Sequence, residues 1–402
     1  MLITIFVFNM EQLLRHSNIK YVALIFISCC LFFYACKEKY LPVIKDNNPN
    51  YLVIDGFINT GSDSTIFKLS RTFKLESKAV IAPEKAAIVT VESDAGLSYT
   101  LPELPLKAGT YAVPALNLEQ TKKYRLRVRT RDNKEYLSDF VESKVSPQVE
   151  VTYDFKHGDF NIYANSNDPS GKSRYYQYRY DETWEYVSKI RSLLKIENHR
   201  MVDRRFPEDN IYNCFRYFPS GRIAITSTTS LTEDRVADYP LEVIPASSDK
   251  IRVEYSMLVK QMVLTRAGFE FFETLRKNTE QVGSIFDSQP SQLYGNIRCT
   301  TNPAEFVLGF ISAGTVTQKR LLVLAANLPY TLRGPAYDAG CEASIDTIRG
   351  GDLKRLLLDP VVSLYIPIMI DEKGILTASK EKLCVDCRLE GGTTVMPSYW
   401  IK

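Results

Sequence analysis

The chain has 402 residues, 45% hydrophobic and 24% charged, with a formal net charge of +3. That composition is ordinary for a globular protein with a real core. The near-balanced charge gives no support for a polyanionic partner, so no nucleic-acid role is expected. The 24 tyrosines and 20 phenylalanines, against 19 glycines and 19 prolines, favour β-rich architecture.

Residues 1–35 have the three parts of a secretory signal. Arg15 and Lys20 form a positive n-region, Tyr21 to Tyr34 an apolar h-region, and Ala35-Cys36 places a small residue before a cysteine. The h-region, roughly a dozen residues, is shorter than the roughly 20 apolar residues that span a bilayer. The segment is read as a lipoprotein signal peptide and Cys36 as the acylated residue, a carrier of palmitate-type chains. A short uncleaved anchor is the competing reading, and Phe33 stands where such signals usually have Leu. The mature chain is expected to be exported and held at a membrane by lipid. Residues 36–50, polar and carrying Pro42 and Pro49, read as a tether.

From Tyr51 the chain becomes a series of short strands separated by turn signals, the pattern of a sandwich. Strands are expected at Tyr51–Ile58, Thr65–Phe73, Ala86–Glu92, Leu97–Leu101, Lys123–Thr130 and Glu135–Glu142. Leu118 precedes Tyr124 by six residues, the spacing of the tyrosine corner of fibronectin- and immunoglobulin-type sandwiches, whose phenol bonds back to upstream backbone. Residues 51–146 are assigned to one immunoglobulin-like sandwich.

Residues 147–402 are read as a larger, decorated β domain. Strands are expected at Val149–Phe155, Asp159–Ala164 and Arg174–Trp184, with Asn165 to Gly171 as a turn cluster. Glu185–Thr232 reads as an insertion. A long strand at Ile251–Val259 precedes one helix near 265–281, capped by Thr265, with Phe272 and Leu275 buried and Arg276 and Lys277 near its C-terminal end. Glu305–Ser312 and Gln318–Ala325 return to a sheet, and the tail after Asn327 is loop-rich.

That tail ends in Cys384-Val-Asp-Cys387-Arg, then Gly391-Gly-Thr and Pro397-Ser-Tyr-Trp400. With Leu52-Val-Ile-Asp-Gly56, Asp181-Glu-Thr-Trp184, Phe286 to Pro290, Gly295-Asn-Ile297 and Val307-Leu-Gly-Phe310, it resembles the DUF4249 family, Bacteroidetes lipoproteins of unassigned biochemical function. The resemblance implies an outer-membrane lipoprotein, often encoded beside TonB-dependent receptors, and an accessory role in nutrient uptake. It lends no catalytic residues.

With Cys36 acylated, five cysteines remain in the mature chain. In an oxidising setting they are read first as disulfides. Two bridges are expected among Cys214, Cys341, Cys384 and Cys387, in any of three pairings, with Cys299 a buried free thiol. A four-thiolate zinc site is the competing reading, since Cys384-x-x-Cys387 has ligand spacing. No metal or cofactor is expected.

Enzyme signatures are sparse. Only His157 and His199 remain in the mature chain, and both are read as surface residues. In Gly309-Phe-Ile-Ser-Ala-Gly314 the serine lies one position too late for a nucleophile elbow. No catalytic residue is assigned.

Two constellations stay open. Tyr176, Tyr178 and Tyr180 share one strand face with Trp184; they form either a sheet-stabilising ladder, the preferred reading, or a stacking platform for a ligand. Arg125, Arg127, Arg129 and Arg131 alternate with apolar residues, as either a solvated face, again preferred, or a contact for anionic lipid or an acidic receptor loop. The expectation is a non-enzymatic accessory of an outer-membrane transporter, bound to a TonB-dependent receptor or its cargo. A surface hydrolase with paired carboxylates and a structural adhesin are the alternatives. Oligomeric state and membrane face are left open.

Overall fold

A computed structural model describes residues 50–72, 82–280, 293–332, 339–358 and 365–400. The signal, Cys36, most of the tether and the Phe286–Pro290 run lie outside these residues. Alternating burial builds the first unit. In β1 (Leu52–Asn59) and β2 (Thr65–Arg71), Leu52, Ile54, Phe67 and Leu69 point inward. The network continues through β3 (Ala82–Pro83), β4 (Ile88–Ser93), β5 (Ser98–Leu101), β6 (Thr110–Val113), β7 (Lys123–Arg129), β8 (Glu135–Ser138) and β9 (Val141–Lys144). The expected strand at Glu135–Glu142 is therefore two strands, broken at Asp139–Phe140.

β2 pairs with β1, β3 and β6, while β4 pairs with β5 and β7, and β7 with β8. Both sets share one apolar core containing Leu69, Phe67, Val89, Leu126, Val128 and Tyr136. The phenol of Tyr124 donates to the carbonyl of Glu119 at 2.7 Å, above buried Leu118, so the tyrosine corner is present.

The second unit has two facing sheets. One holds β10 (Val149–Lys156), β11 (Asp159–Asn167) and, later in the chain, β17 (Arg235–Ile244) in the order β10-β11-β17. The other is built on β12 (Tyr175–Val187). Between β12 and β17 lie the hairpin β13 (Leu194–Glu197) and β14 (Arg200–Asp203), then β15 (Asn213–Pro219) and β16 (Ala224–Ser227). After β17 comes β18 (Glu254–Val263), three residues later than the long strand expected from alternation, and buried on both faces. Thr265 accepts from the amide of Gly268 at 3.2 Å and starts α1 (Arg266–Glu280). Its buried aromatic is Phe271; Phe272 and Leu275 are half-buried, a correction of one position in the helical face.

The chain then returns to the first unit. β19 (Ile297–Cys299) pairs with β8, β20 (Val307–Leu308) with β1, and β21 (Ala313–Gly314) runs parallel to β1 and β9. Cys299, Val307, Ile311 and Ala313 enter the first core. Residues 51–146 thus form that sandwich together with residues 297–314, because these late strands cover edges the early ones leave. β22 (Val316–Leu324) then pairs with β18, giving the order β15-β12-β18-β22.

The tail carries more structure than its loop-rich composition suggests. Among its described residues are two short α-helices, α2 (Ala339–Glu342) and α3 (Gly350–Leu358), and β23 (Ile345–Ile348), β24 (Ile366–Ile370) and β25 (Leu376–Ser379), ordered β23-β25-β24. This sheet packs on the insertion. Leu193 N bonds Ile368 O, Ile190 N bonds Cys384 O, and Leu194 shares a core with Leu376 and Ala378. Among the described helices none is long and apolar enough to cross a membrane.

Candidate binding site

The two disulfides are Cys214–Cys387 and Cys341–Cys384, with Cys299 free and buried. Cys384 and Cys387 turn to different partners, so the pair does not present two thiolates to one metal. Cys214–Cys387 ties edge strand β15 to the tail. Beyond it the tail lies on the outer face of the β12 sheet, where Trp400 meets Phe215 edge-on at 5.3 Å and donates to Glu185 at 3.2 Å. Tyr399 bonds Thr183 at 2.8 Å, and the guanidinium of Arg320 sits 3.5 Å from its ring centre.

The tyrosine ladder is core. Tyr176, Tyr178, Tyr180 and Trp184 are 0%, 1%, 3% and 7% exposed and lie between the two sheets. Tyr178 stacks on Tyr239 at 5.3 Å, and Tyr180 donates to Glu242 at 2.7 Å. Burial withdraws all four from the role of an exposed stacking platform.

The arginines alternate as expected, with Tyr124, Leu126 and Val128 buried between them. They do not form a bare cationic row. Strand register sets Glu92 opposite Arg125 and Glu135 opposite Arg129. Glu92 takes Arg125 at 2.7 Å and Arg127 at 2.6 Å, and Arg127 also meets Glu135 at 2.5 Å. Burial works against ionisation of Glu92, but its hydrogen bonds from Arg127 and Arg125 outweigh that and hold its carboxyl low. Arg129 and Arg131 are exposed, with Arg131 past the end of β7. His157 and His199 are exposed at positive φ, and Ser312 is buried at 3% exposure in the run that pairs with β1.

Sequence reasoning missed a polar groove of about 330 Å3 at one end of the β10-β11-β17 sheet. It is lined by Gln148, Glu150, Asn165, Asn167 and Arg235, over Ser166 and Val236. Asn165-Ser-Asn167 reads as a turn by composition, yet β11 runs through Asn167 and the turn begins at Asp168. Alternation puts Asn165 and Asn167 on the outer face while Ser166 points in and donates to Gln148 O at 3.1 Å. Asn165 is fixed by Thr152 Oγ1 at 2.8 Å and by the Asp238 amide, also at 2.8 Å. Among the described residues, the side chains of Gln148, Glu150, Asn167 and Arg235 have no hydrogen-bond or ion-pair partner.

The groove has a rigid base. Asp168 N bonds Asp234 O at 2.8 Å, joining the residues that follow Asn167 and precede Arg235. The Asp234 carboxylate accepts from the amides of Ser173 and Arg174, the phenol of Tyr176 and the hydroxyl of Thr228. Burial opposes ionisation of Asp168, yet hydrogen bonds from Ser170 and Ser173 prevail and keep its carboxyl below the usual range. Two amides, one carboxylate and one guanidinium therefore converge on solvent with donors and acceptors free. That array suits a small, hydroxyl-rich polar ligand.

No curated protein matches the chain. The solved structures that resemble it include two that align with about half of its length. Trypsin-activated alpha-2-macroglobulin from Escherichia coli matches at 10% identity over 55% of this chain and 15% of that one, with a TM-score of 0.19. A two fibronectin type-III domain segment from chicken tenascin matches at 11% identity over 54% of this chain and 92% of that one, with a TM-score of 0.16. At such scores neither bears on function. A family model, domain of unknown function DUF4249, matches residues 37–320 and so stops before the Cys384–Trp400 tail. That match takes in both sandwiches, and the chain belongs to the DUF4249 family.

Proposed function

We propose that this protein is a lipid-anchored, non-enzymatic binding component of the outer membrane, an accessory of a TonB-dependent nutrient-uptake system. The observation that carries the binding role is the groove at Asn167 and Arg235, whose polar side chains are held ready on a braced sheet end yet have no partner of their own. Export is supported by the signal-like run before Cys36 and by two disulfides, which persist in oxidising compartments. The cargo this array favours is a hydroxyl-rich small molecule. Arg129 and Arg131, exposed on the first sandwich, are the arginines left to meet anionic headgroups or an acidic receptor segment.

Cross-linked pull-down from native outer membranes is the test. Recovery of a TonB-dependent receptor with the full chain supports the reading, and repeated recovery of no transporter counts against it. Cys36→Ala should abolish palmitate labelling and release the protein from the membrane; unchanged labelling would remove the anchor. Arg235→Gln with Asn167→Ala should weaken retention on a panel of immobilised saccharides without lowering thermal stability.

A further inference from the structure

The two free edges of the β10-β11-β17 sheet differ. β17 is irregular: Pro240 interrupts it, and its pairing with β11 shifts register twice. Such features blunt an edge against further pairing. β10 has none of them. It pairs with β11 through all eight residues without a shift, contains no proline, and among the described residues is hydrogen-bonded to no second strand. Its inward-facing residues are Val149, Val151, Tyr153 and Phe155. Tyr153 and Phe155 remain 43% and 40% exposed although both pack on Phe160, at 5.2 and 5.7 Å. Glu150, Thr152, Asp154 and Lys156 point the other way.

We propose that β10 is a self-complementary edge through which two copies of the chain pair antiparallel about a two-fold axis at Tyr153. Residues directly opposite in an antiparallel pair share a face. A two-fold between residues would set the inward series against the outward one, so the axis must fall on a residue. Two such registers pair seven of the eight residues. An axis at Thr152 opposes Glu150 to Asp154, like charge against like. An axis at Tyr153 opposes Glu150 to Lys156 of the second copy, twice by symmetry, and Thr152 to Asp154. On the inner face it sets Val151 against Phe155 and Tyr153 against itself, covering the exposed rings. Charge selects the second register.

Among the described residues of a single chain Glu150 has no partner, while Lys156 rests against Asp154 and lies 5.5 Å from the centre of the Tyr163 ring. Pairing gives Glu150 a cation and makes one six-stranded sheet from two three-stranded ones. It also brings Lys156 of the second copy to the groove rim that Glu150 lines. The inference stands apart from the anchor and from the groove's ligand, since only strand pairing is required.

Cross-linking the full-length protein in its native membrane tests it. Tyr153→Cys should give a covalent homodimer on mild oxidation, because the axis sets that residue against itself, whereas Ser170→Cys, exposed in a turn away from the edge, should not. In detergent, Glu150→Lys or Lys156→Glu alone should weaken self-association by roughly tenfold, and the double exchange should restore it. Retention of both native disulfides in every variant separates lost pairing from lost folding. A monomeric wild-type chain at micromolar concentration, an absent Tyr153→Cys dimer, or single exchanges that leave association unchanged would each overturn the proposal.

Discussion

The hydroxyl of Tyr176 lies 2.8 Å from Oδ1 of Asp234 and donates to it, so this member of the tyrosine ladder also braces the strand that presents Arg235. Asp234 is 3% exposed, and Tyr176, Thr228 and two amides divide its lone pairs. Burial, reinforced by the hydrogen bond to Asp234, pushes the Tyr176 phenol well above its ordinary pKa, so it stays a donor throughout the physiological range. Tyr176→Phe keeps the ring and removes the donor. It should cost about 1.5–3 kcal/mol in urea unfolding, the range for a hydrogen bond to a charged group. Weakened ligand retention with unchanged stability would instead favour the alternative binding role for Tyr176.

The disulfides close different loops: Cys214–Cys387 joins the tail to the second sandwich, and Cys341–Cys384 staples the tail to itself. Cys214–Cys387 spans 173 residues and Cys341–Cys384 spans 43. Loop-closure entropy assigns them about 5 and about 4 kcal/mol respectively, upper values because reduced chains retain structure. Cys214→Ala with Cys387→Ala should therefore lower stability more than Cys341→Ala with Cys384→Ala, by about 1 kcal/mol. Non-reducing peptide mapping of the native chain should recover these two bridges and no Cys384–Cys387 link.

Glu305 gives the first sandwich an acid limit. Its carboxylate accepts from Lys134 at 2.7 Å and Tyr136 at 2.5 Å, joining the returning segment to β8 and the turn before it. Burial opposes its ionisation, but these hydrogen bonds overcome the penalty and lower its pKa. A carboxyl with a depressed folded pKa stabilises the native state fully above its unfolded value and loses that contribution as pH falls through the folded value. Unfolding free energy should thus fall as pH drops below the ordinary glutamate value of 4.5. Glu305→Gln should be destabilised at pH 7 and show a shallower acid slope; an unchanged slope would show that other carboxylates set the limit.

Local chemistry was legible in the chain. Period-two alternation around Arg125 and Arg127 located β7, the Leu118–Tyr124 spacing located a tyrosine corner, and Thr265 located a helix start. What depended on distant partners was not. Arg125 looked like part of a bare stripe because Glu92, 33 residues earlier, is brought beside it only by β4–β7 register. The insertion and the tail looked irregular because each supplies half of one small core, Leu194 from one and Leu376 from the other. The groove stayed hidden because Asn165-Ser-Asn167 has turn composition, and tertiary pairing on both sides of β11 overrides that preference. Only a strict inside–outside alternation through Ser166 could have pointed to it.

Gly392, in the terminal motif, has a spatial reason to be glycine. A Cβ built there would lie 2.2 Å from the Tyr186 hydroxyl and 3.0 Å from Cβ of Cys214. Tyr186 cannot yield freely, since its hydroxyl donates to Cys387 O at 2.7 Å and its ring belongs to the second core. Gly391 differs: its φ is 88°, with nothing within 4 Å of an added Cβ. Gly391→Ala should therefore cost only about 1–2 kcal/mol of left-handed backbone strain, leaving the tail seated. Gly392→Ala should lift the tail, break the Trp400–Glu185 bond and expose an indole that is now 7% accessible. With Trp184 and Trp400 the only tryptophans, fluorescence reads this directly. Gly392→Ala should red-shift the emission and increase quenching by acrylamide, whereas Gly391→Ala should do neither. Identical spectra for both variants would show that the tail docks without needing a glycine at 392.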